Sequence, residues 1–133
     1  MLCIPKALYD EVVAHCRREY PKEACGYLAV DDAGRVTQVY PMRNVEDSPI
    51  GYAMDPQEQL QVEKAARRMG QRIVGVYHSH TSTAAYPSPV DVSLAVSAEF
   101  SYVVVSLKDR TTPDLKSFRI DGQTITTEPV TVA

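Results

Sequence analysis

Two continuously apolar, β-branched runs, Ile73-Val74-Gly75-Val76-Tyr77 and Ser101-Tyr102-Val103-Val104-Val105-Ser106-Leu107, constrain this chain most. Neither alternates with polar residues, so each reads as a strand covered on both faces. Such strands need helices packed on their sheet. The segments around them supply those helices. Pro5 to Tyr20 predicts a first helix, with Leu8, Val12 and Cys16 as its apolar stripe and Pro21 as its stop. His15 lies among polar neighbours and is expected to be a solvated helix residue. Asp55-Pro56-Gln57-Glu58 predicts a capped start for a second helix, running to about Met69. That helix is expected to bury Val62, Ala65, Ala66 and Met69, to leave Glu63, Lys64, Arg67 and Arg68 in solvent, and to end at Gly70. Pro89 predicts a third helix, through Val92, Leu94, Ala95 and Val96.

The other segments read as strands and turns. Ala24 to Val30 predicts a buried strand, joined through Asp31-Asp32-Ala33-Gly34 to a hairpin partner over Arg35 to Tyr40. Residues 41–54 are an irregular connection with a short strand at Gly51–Met54. Leu115 to Ile120 and Thr124 to Thr127 form a final antiparallel pair about Asp121-Gly122. The expected architecture is a single α/β domain over residues 1–133, a mixed central sheet with helices packed on it.

Composition excludes several classes. The hydrophobic share of 44% and charged share of 23% are those of a folded globular domain. A net charge of −3 with no basic cluster argues against nucleic acid or anionic lipid as partner. No apolar run approaches the ~18 residues that span a bilayer, and the first residues lack the pattern of a signal peptide. Three cysteines without close pairing fit a reducing compartment, so the cytoplasm is the expected location. Cys25 reads as a small buried thiol, since nothing near it in sequence would lower its pKa.

The chemistry concentrates just after the first apolar run. His78 and His80, one residue apart, would project to the same face at the strand's end. Asp91, eleven positions beyond His80, can return to the same point through a loop and a helix start. Two imidazoles and a carboxylate form a three-ligand zinc set, expected as one Zn2+ per chain, with a fourth position open to water. Such a site also needs a group to take a proton from the water, and a carboxylate outside the ligand set is the usual one. Glu23 sits where a helix hands over to a buried strand and can look into a cleft, but position alone favours a surface glutamate at a helix exit, and spacing does not separate it from Glu11, Glu19 or Glu58. Ser88-Pro89-Val90-Asp91 has a second explanation as a capping box that merely starts a helix. The two readings of Asp91 are compatible, because a helix N-terminus can hold a carboxylate toward a metal.

Glu23, then His78-Ser79-His80, seven residues, Ser88, two residues and Asp91 together resemble the motif of the JAMM (MPN+) metalloproteases. The match is gapless over five spaced residues, and the inferred element order follows the family's domain over nearly the whole chain. The resemblance implies a cytidine-deaminase-like α/β fold and a zinc-dependent peptidase or isopeptidase. It further implies zinc on His78, His80 and Asp91, acid/base work by Glu23, and oxyanion stabilisation by Ser88. Ser79 would point to the opposite strand face, into packing or a hydrogen bond. Within the family the chain looks most like the compact prokaryotic, Mec-type branch, although Thr81 stands where many members have proline. That branch implies as partner the C-terminal tail of a ubiquitin-like sulfur-carrier protein (CysO-, ThiS- or MoaD-like). Hydrolysis after the tail's Gly-Gly would release cysteine or a short extension, in cysteine biosynthesis. The length is consistent with this branch: Glu23 lies 55 positions before His78 and 42 residues follow Asp91, both spans filled by core elements. The tail is expected along a sheet edge near the zinc, with Tyr86 as one wall. Removal of modifiers from lysines, a metal-free MPN scaffold and a zinc deaminase are the alternatives. The last commonly uses a Cys-x-x-Cys pair, a spacing that Cys3, Cys16 and Cys25 do not offer.

Overall fold

A computed structural model describes all 133 residues. Its elements are β1 (Leu2–Ile4), α1 (Lys6–Glu19), β2 (Cys25–Val30), β3 (Val36–Met42), α2 (Pro56–Arg68) and β4 (Ile73–His80). They continue with α3 (Pro89–Leu94), β5 (Ser101–Ser106), β6 (Asp114–Asp121), β7 (Thr124–Glu128) and β8 (Val130–Val132). Six strands form one mixed sheet in the order β3-β2-β4-β5-β6-β7, and β1 pairs with β8 in a separate two-stranded ribbon. Within the large sheet only β4 and β5, the two apolar runs, are parallel. Parallel neighbours need a crossover, and residues 81–100 with α3 provide it. No helix is long and apolar enough to cross a membrane.

The sheet separates two cores. On one face α1 and the β1/β8 ribbon cover Leu28, Val30, Tyr77, Val103 and Val105, with Val12 and Cys16 of α1 packed among them. On the other face Tyr27, Val76, Tyr102 and Ile120 meet partly buried residues from α2, α3 and the preceding loops, Met54, Val62 and Val92 among them. Strand alternation makes the assignment along β4: Tyr77 and Ser79 face α1, while Val76, His78 and His80 face the other way.

Several expectations are corrected. His15 is not solvated but 5% exposed, with Nδ1 2.6 Å from the Tyr77 hydroxyl. It stands three residues after Val12 and one before Cys16, so it shares their buried side despite charged neighbours in sequence. Burial, reinforced by Arg18, pushes its imidazole below the ordinary value, and burial raises the Tyr77 phenol. His15 Nδ1 and the Tyr77 hydroxyl thus share one buried hydrogen bond. Gly51–Met54 forms no strand. Of the residues assigned to the core side of α2 only Ala66 is buried, and Met69, the C-cap, is 63% exposed. The third helix stops at Leu94, because the Tyr102 hydroxyl accepts from Val96 and Ser97 N–H and donates to the Ser97 carbonyl, capturing groups that would have continued it. The strands β1 and β8 had no legible signal, being three residues each.

Gly26 sits opposite Tyr77 in the β2–β4 ladder, and a Cβ there would lie within 2.5 Å of three ring and hydroxyl atoms of Tyr77. Gly26→Ala must displace a fully buried ring and its bond to His15, a cost of about 1–3 kcal/mol. Urea unfolding should show that loss as a lower midpoint with an unchanged slope.

Candidate metal centre

His78 and His80 come together because residues two apart on a strand share a face. Both are nearly sealed, 4% and 5% exposed, at the C-terminal end of an interior strand. Their backbone is fixed on both sides: Cys25 pairs with His78, and Val104 and Ser106 pair with His78 and His80. Asp91 arrives from α3. Ser88 Oγ accepts from Asp91 N–H at 3.1 Å while Ser88 N–H donates to Asp91 Oδ2 at 2.8 Å, a complete capping box. The oxygen held by this box is the one that faces the imidazoles. Asp91 Oδ2 lies 3.1 Å from His78 Nε2 and 3.0 Å from His80 Nε2, and the two Nε2 atoms are 3.1 Å apart. Capping and convergence on the histidines are one geometry.

Three acceptor-type atoms in a triangle of that size demand a positive charge. His80 Nδ1 lies 3.0 Å from the Ala84 carbonyl and donates its proton there, so Nε2 faces inward, available to an ion or, without one, carrying a proton toward Asp91. Burial alone would raise the Asp91 carboxyl, but hydrogen bonds from His78 and His80 and the Ser88 N–H hold it far below the usual range. Burial opposes charging of His80, and Asp91 and the Ala84 carbonyl outweigh it, so this imidazole is raised. Donors on one tetrahedral zinc, each ~2.0–2.2 Å from the ion, lie roughly 3.3 Å from one another. The observed edges are close to that spacing, and the donor set fits a divalent ion.

Glu23 joins the same face through strand register. Cys25 pairs with His78 across β2 and β4, so two residues back along β2 brings Glu23 level with His80. Ser79 clamps this end: its Oγ accepts from Ala24 N–H at 2.8 Å and its own N–H donates to the Ala24 carbonyl at 3.0 Å. Ser79 thus points toward α1 and serves in a hydrogen bond. Glu23 is 6% exposed, and burial pushes its carboxyl up to about 7 against the attraction of His80. Cys25 is sealed, and burial raises its thiol to about 12.

Two surroundings of the triangle were not legible in the sequence. Tyr52, from the irregular segment, stacks on His78 at 4.8 Å between ring centroids and 26° between planes. Beside it opens a mainly apolar cavity of about 340 Å³, lined by His78 and Asp91 at one end and by Tyr27, Met54, Leu94 and Phe100 beyond them. Tyr86 is not part of that lining; its ring stands edge-on to Phe118 at 5.4 Å. Nor does a sheet edge adjoin the triangle. The free edges are β3 and β7, and β4 has a neighbour on each side, so nothing can add to the strand that carries the histidines.

The family model for prokaryotic homologs of the JAB domain matches residues 5–121. The chain belongs to this JAB/MPN family. It is 44% identical to a CysO-cysteine peptidase of Mycobacterium tuberculosis over 99% of this chain and 91% of that protein. A probable TtuB-protein conjugate cleaving protease of Thermus thermophilus is 41% identical, over 71% of this chain and 64% of that one. Among solved structures, a protein of Desulfitobacterium hafniense superposes with a TM-score of 0.91 at 37% identity, covering 100% of this chain and 93% of its own.

The buried acid has a consequence for stability in the metal-free protein. Folded Glu23 keeps its proton up to about pH 7, whereas in the unfolded chain it releases it near 4.5, so its contribution is lost as pH rises through that window. Glu23→Gln should therefore melt at a higher temperature than the wild type in chelator at pH 8. Scanning calorimetry across pH should show the gain vanish below about 4.5.

Proposed function

We propose that this chain is a zinc-dependent peptidase acting on the C-terminal tail of a ubiquitin-like sulfur-carrier protein, cutting after the tail's Gly-Gly and releasing cysteine or a short extension for cysteine biosynthesis. As a JAB-family enzyme it is a hydrolase of peptide or isopeptide bonds. The observation that carries the reading is the three-donor triangle with a buried carboxylate on the same sheet face. The near-full-length likeness to a CysO-cysteine peptidase supports the substrate class. A second reading, cleavage of carrier–protein conjugates, is favoured by the likeness to a conjugate-cleaving protease.

His78, His80 and Asp91 would hold the ion. Zinc bound there would supply Lewis acidity toward a water and the scissile carbonyl. Glu23, sealed in low-dielectric surroundings beside that point, takes a proton from the attacking water and hands it to the leaving amine. Ser88 Oγ accepts from Asp91 N–H and so keeps its own hydroxyl proton to donate to the developing oxyanion. Ala84 fixes the His80 tautomer through the Nδ1 contact. The apolar cavity beside the triangle takes the tail residues, so binding depends on side-chain burial rather than on strand addition. The buried, high-pKa Cys16 and Cys25 are inert thiols, in keeping with a cytoplasmic enzyme.

Elemental analysis of purified protein should find about one zinc per chain, and Asp91→Ala should lose it. Glu23→Gln should keep the metal and lose hydrolysis by roughly 10²- to 10⁴-fold. Ser88→Ala should lower kcat by roughly 10²-fold or more with a smaller effect on KM. Mass spectrometry of carriers ending in Gly-Gly-Cys, before and after enzyme, reads the products directly. Intact carriers after incubation with the zinc-loaded wild type, alongside cleaved lysine-linked conjugates, would favour the second reading.

A further inference from the structure

The segment between β3 and α2 has no regular structure, yet it lays Tyr52 on His78 and borders the cavity with Ala53 and Met54. An irregular segment in that position needs partners for its backbone groups. One side chain supplies three of them. Asn44, 8% exposed, donates from Nδ2 to the Glu23 carbonyl and to the Gly51 carbonyl, each at 3.0 Å. Its Oδ1 accepts from Glu46 N–H at 3.0 Å and Ala53 N–H at 3.1 Å. Two carbonyls face one end of the carboxamide and two N–H groups face the other, so its orientation is dictated and its full capacity of four bonds is used. The segment is also tied to its surroundings by Glu23 N–H donating to the Ser48 carbonyl at 2.9 Å and by Thr81 Oγ1 donating to the Pro49 carbonyl at 3.0 Å.

We infer that Asn44 is a positioning residue for catalysis: through one carboxamide it sets the backbone that carries Glu23 and folds the 45–53 segment that seats Tyr52 on His78. It touches neither substrate nor ion and acts through those two residues. The inference rests on the reading of Glu23 as the acid/base group. Glu23 lies outside any regular element, just before β2, so its aim depends on what fixes its backbone.

Asn44→Asp keeps the shape and both acceptor contacts but loses both donors, setting a carboxylate against two carbonyls. Asn44→Ala removes all four bonds. Both variants should bind zinc as the wild type does, with kcat reduced roughly 10- to 100-fold by the misplaced base. In a Glu23→Gln background the same substitutions should lower kcat by a clearly smaller factor than in the wild type, because one of the two groups through which they act is gone. Hydrogen exchange at residues 45–53 should speed up in both variants while β2 and β4 stay protected. An equal loss of kcat in both backgrounds, or unchanged exchange over 45–53, would overturn the inference. A variant that does not fold leaves the test to the wild type, whose Glu46 and Ala53 amides should exchange more slowly than those of Gly51 and Tyr52; equally fast exchange would overturn it as well. Should Glu23→Gln itself remain active, the acid/base reading falls, while the exchange measurements still decide whether Asn44 orders the segment.

Discussion

The side-chain alternation of β4, locked by hydrogen bonding on both of its edges, is the constraint on which the site depends. A strand paired with β2 on one side and β5 on the other cannot slip by one residue without moving every side chain to the opposite face. A slip would put Tyr77 and Ser79 where the histidines stand and expel the imidazoles into the α1 core. The apolar contacts of Tyr77, its bond to His15 and the absence of a Cβ at Gly26 all oppose that shift. The packing of one face therefore fixes the chemistry of the other. Ser79 does the same for the neighbouring strand, since its exchange of bonds with Ala24 keeps Glu23 level with His80.

Asp91 is held by a different device, and it shows why capping a helix and facing the imidazoles need not compete. Asp91 Oδ2 takes the Ser88 N–H as part of the capping box and still presents itself to both imidazoles. A six-residue helix with no buried residue contributes little through packing. Its reciprocal cap does the positioning instead, and the helix serves to orient one carboxylate.

Much of this was readable from local chemistry. The apolar runs, the Gly34 and Gly122 turns, the caps at Asp55 and Ser88, and the shared face of His78 and His80 depend on residues close in sequence. What escaped depends on residues far apart. The burial of His15 requires Tyr77, 62 positions away, and the contact of Asn44 with Glu23 spans 21. Tyr52 lay in a stretch without periodicity, so no pattern could aim its ring at His78. The end of α3 was misread for a related reason: the hydroxyl that captures Val96 and Ser97 comes from Tyr102, in the next strand. Glu23 stood between these cases. Its place before a buried strand was visible, but its level with His80 follows only from the β2–β4 register, and resemblance singled it out where spacing did not.

The arrangement also has an electrostatic logic that runs against stability. Three lone-pair atoms about 3 Å apart, with a buried carboxyl nearby, repel one another unless a cation or protons intervene. In the metal-free protein protons serve: bonds accepted from His78, His80 and the Ser88 N–H hold Asp91 low, Asp91 and the Ala84 carbonyl raise His80, and burial raises Glu23. A divalent ion would replace them with a charge that the ligands share, and binding to the folded state alone would add stability by mass action. The rigidity of β4, the cap on α3 and the four bonds of Asn44 keep these groups together in the meantime. A fold that relaxed to relieve the repulsion would lose the preformed site, and ion binding would then have to reorganise it.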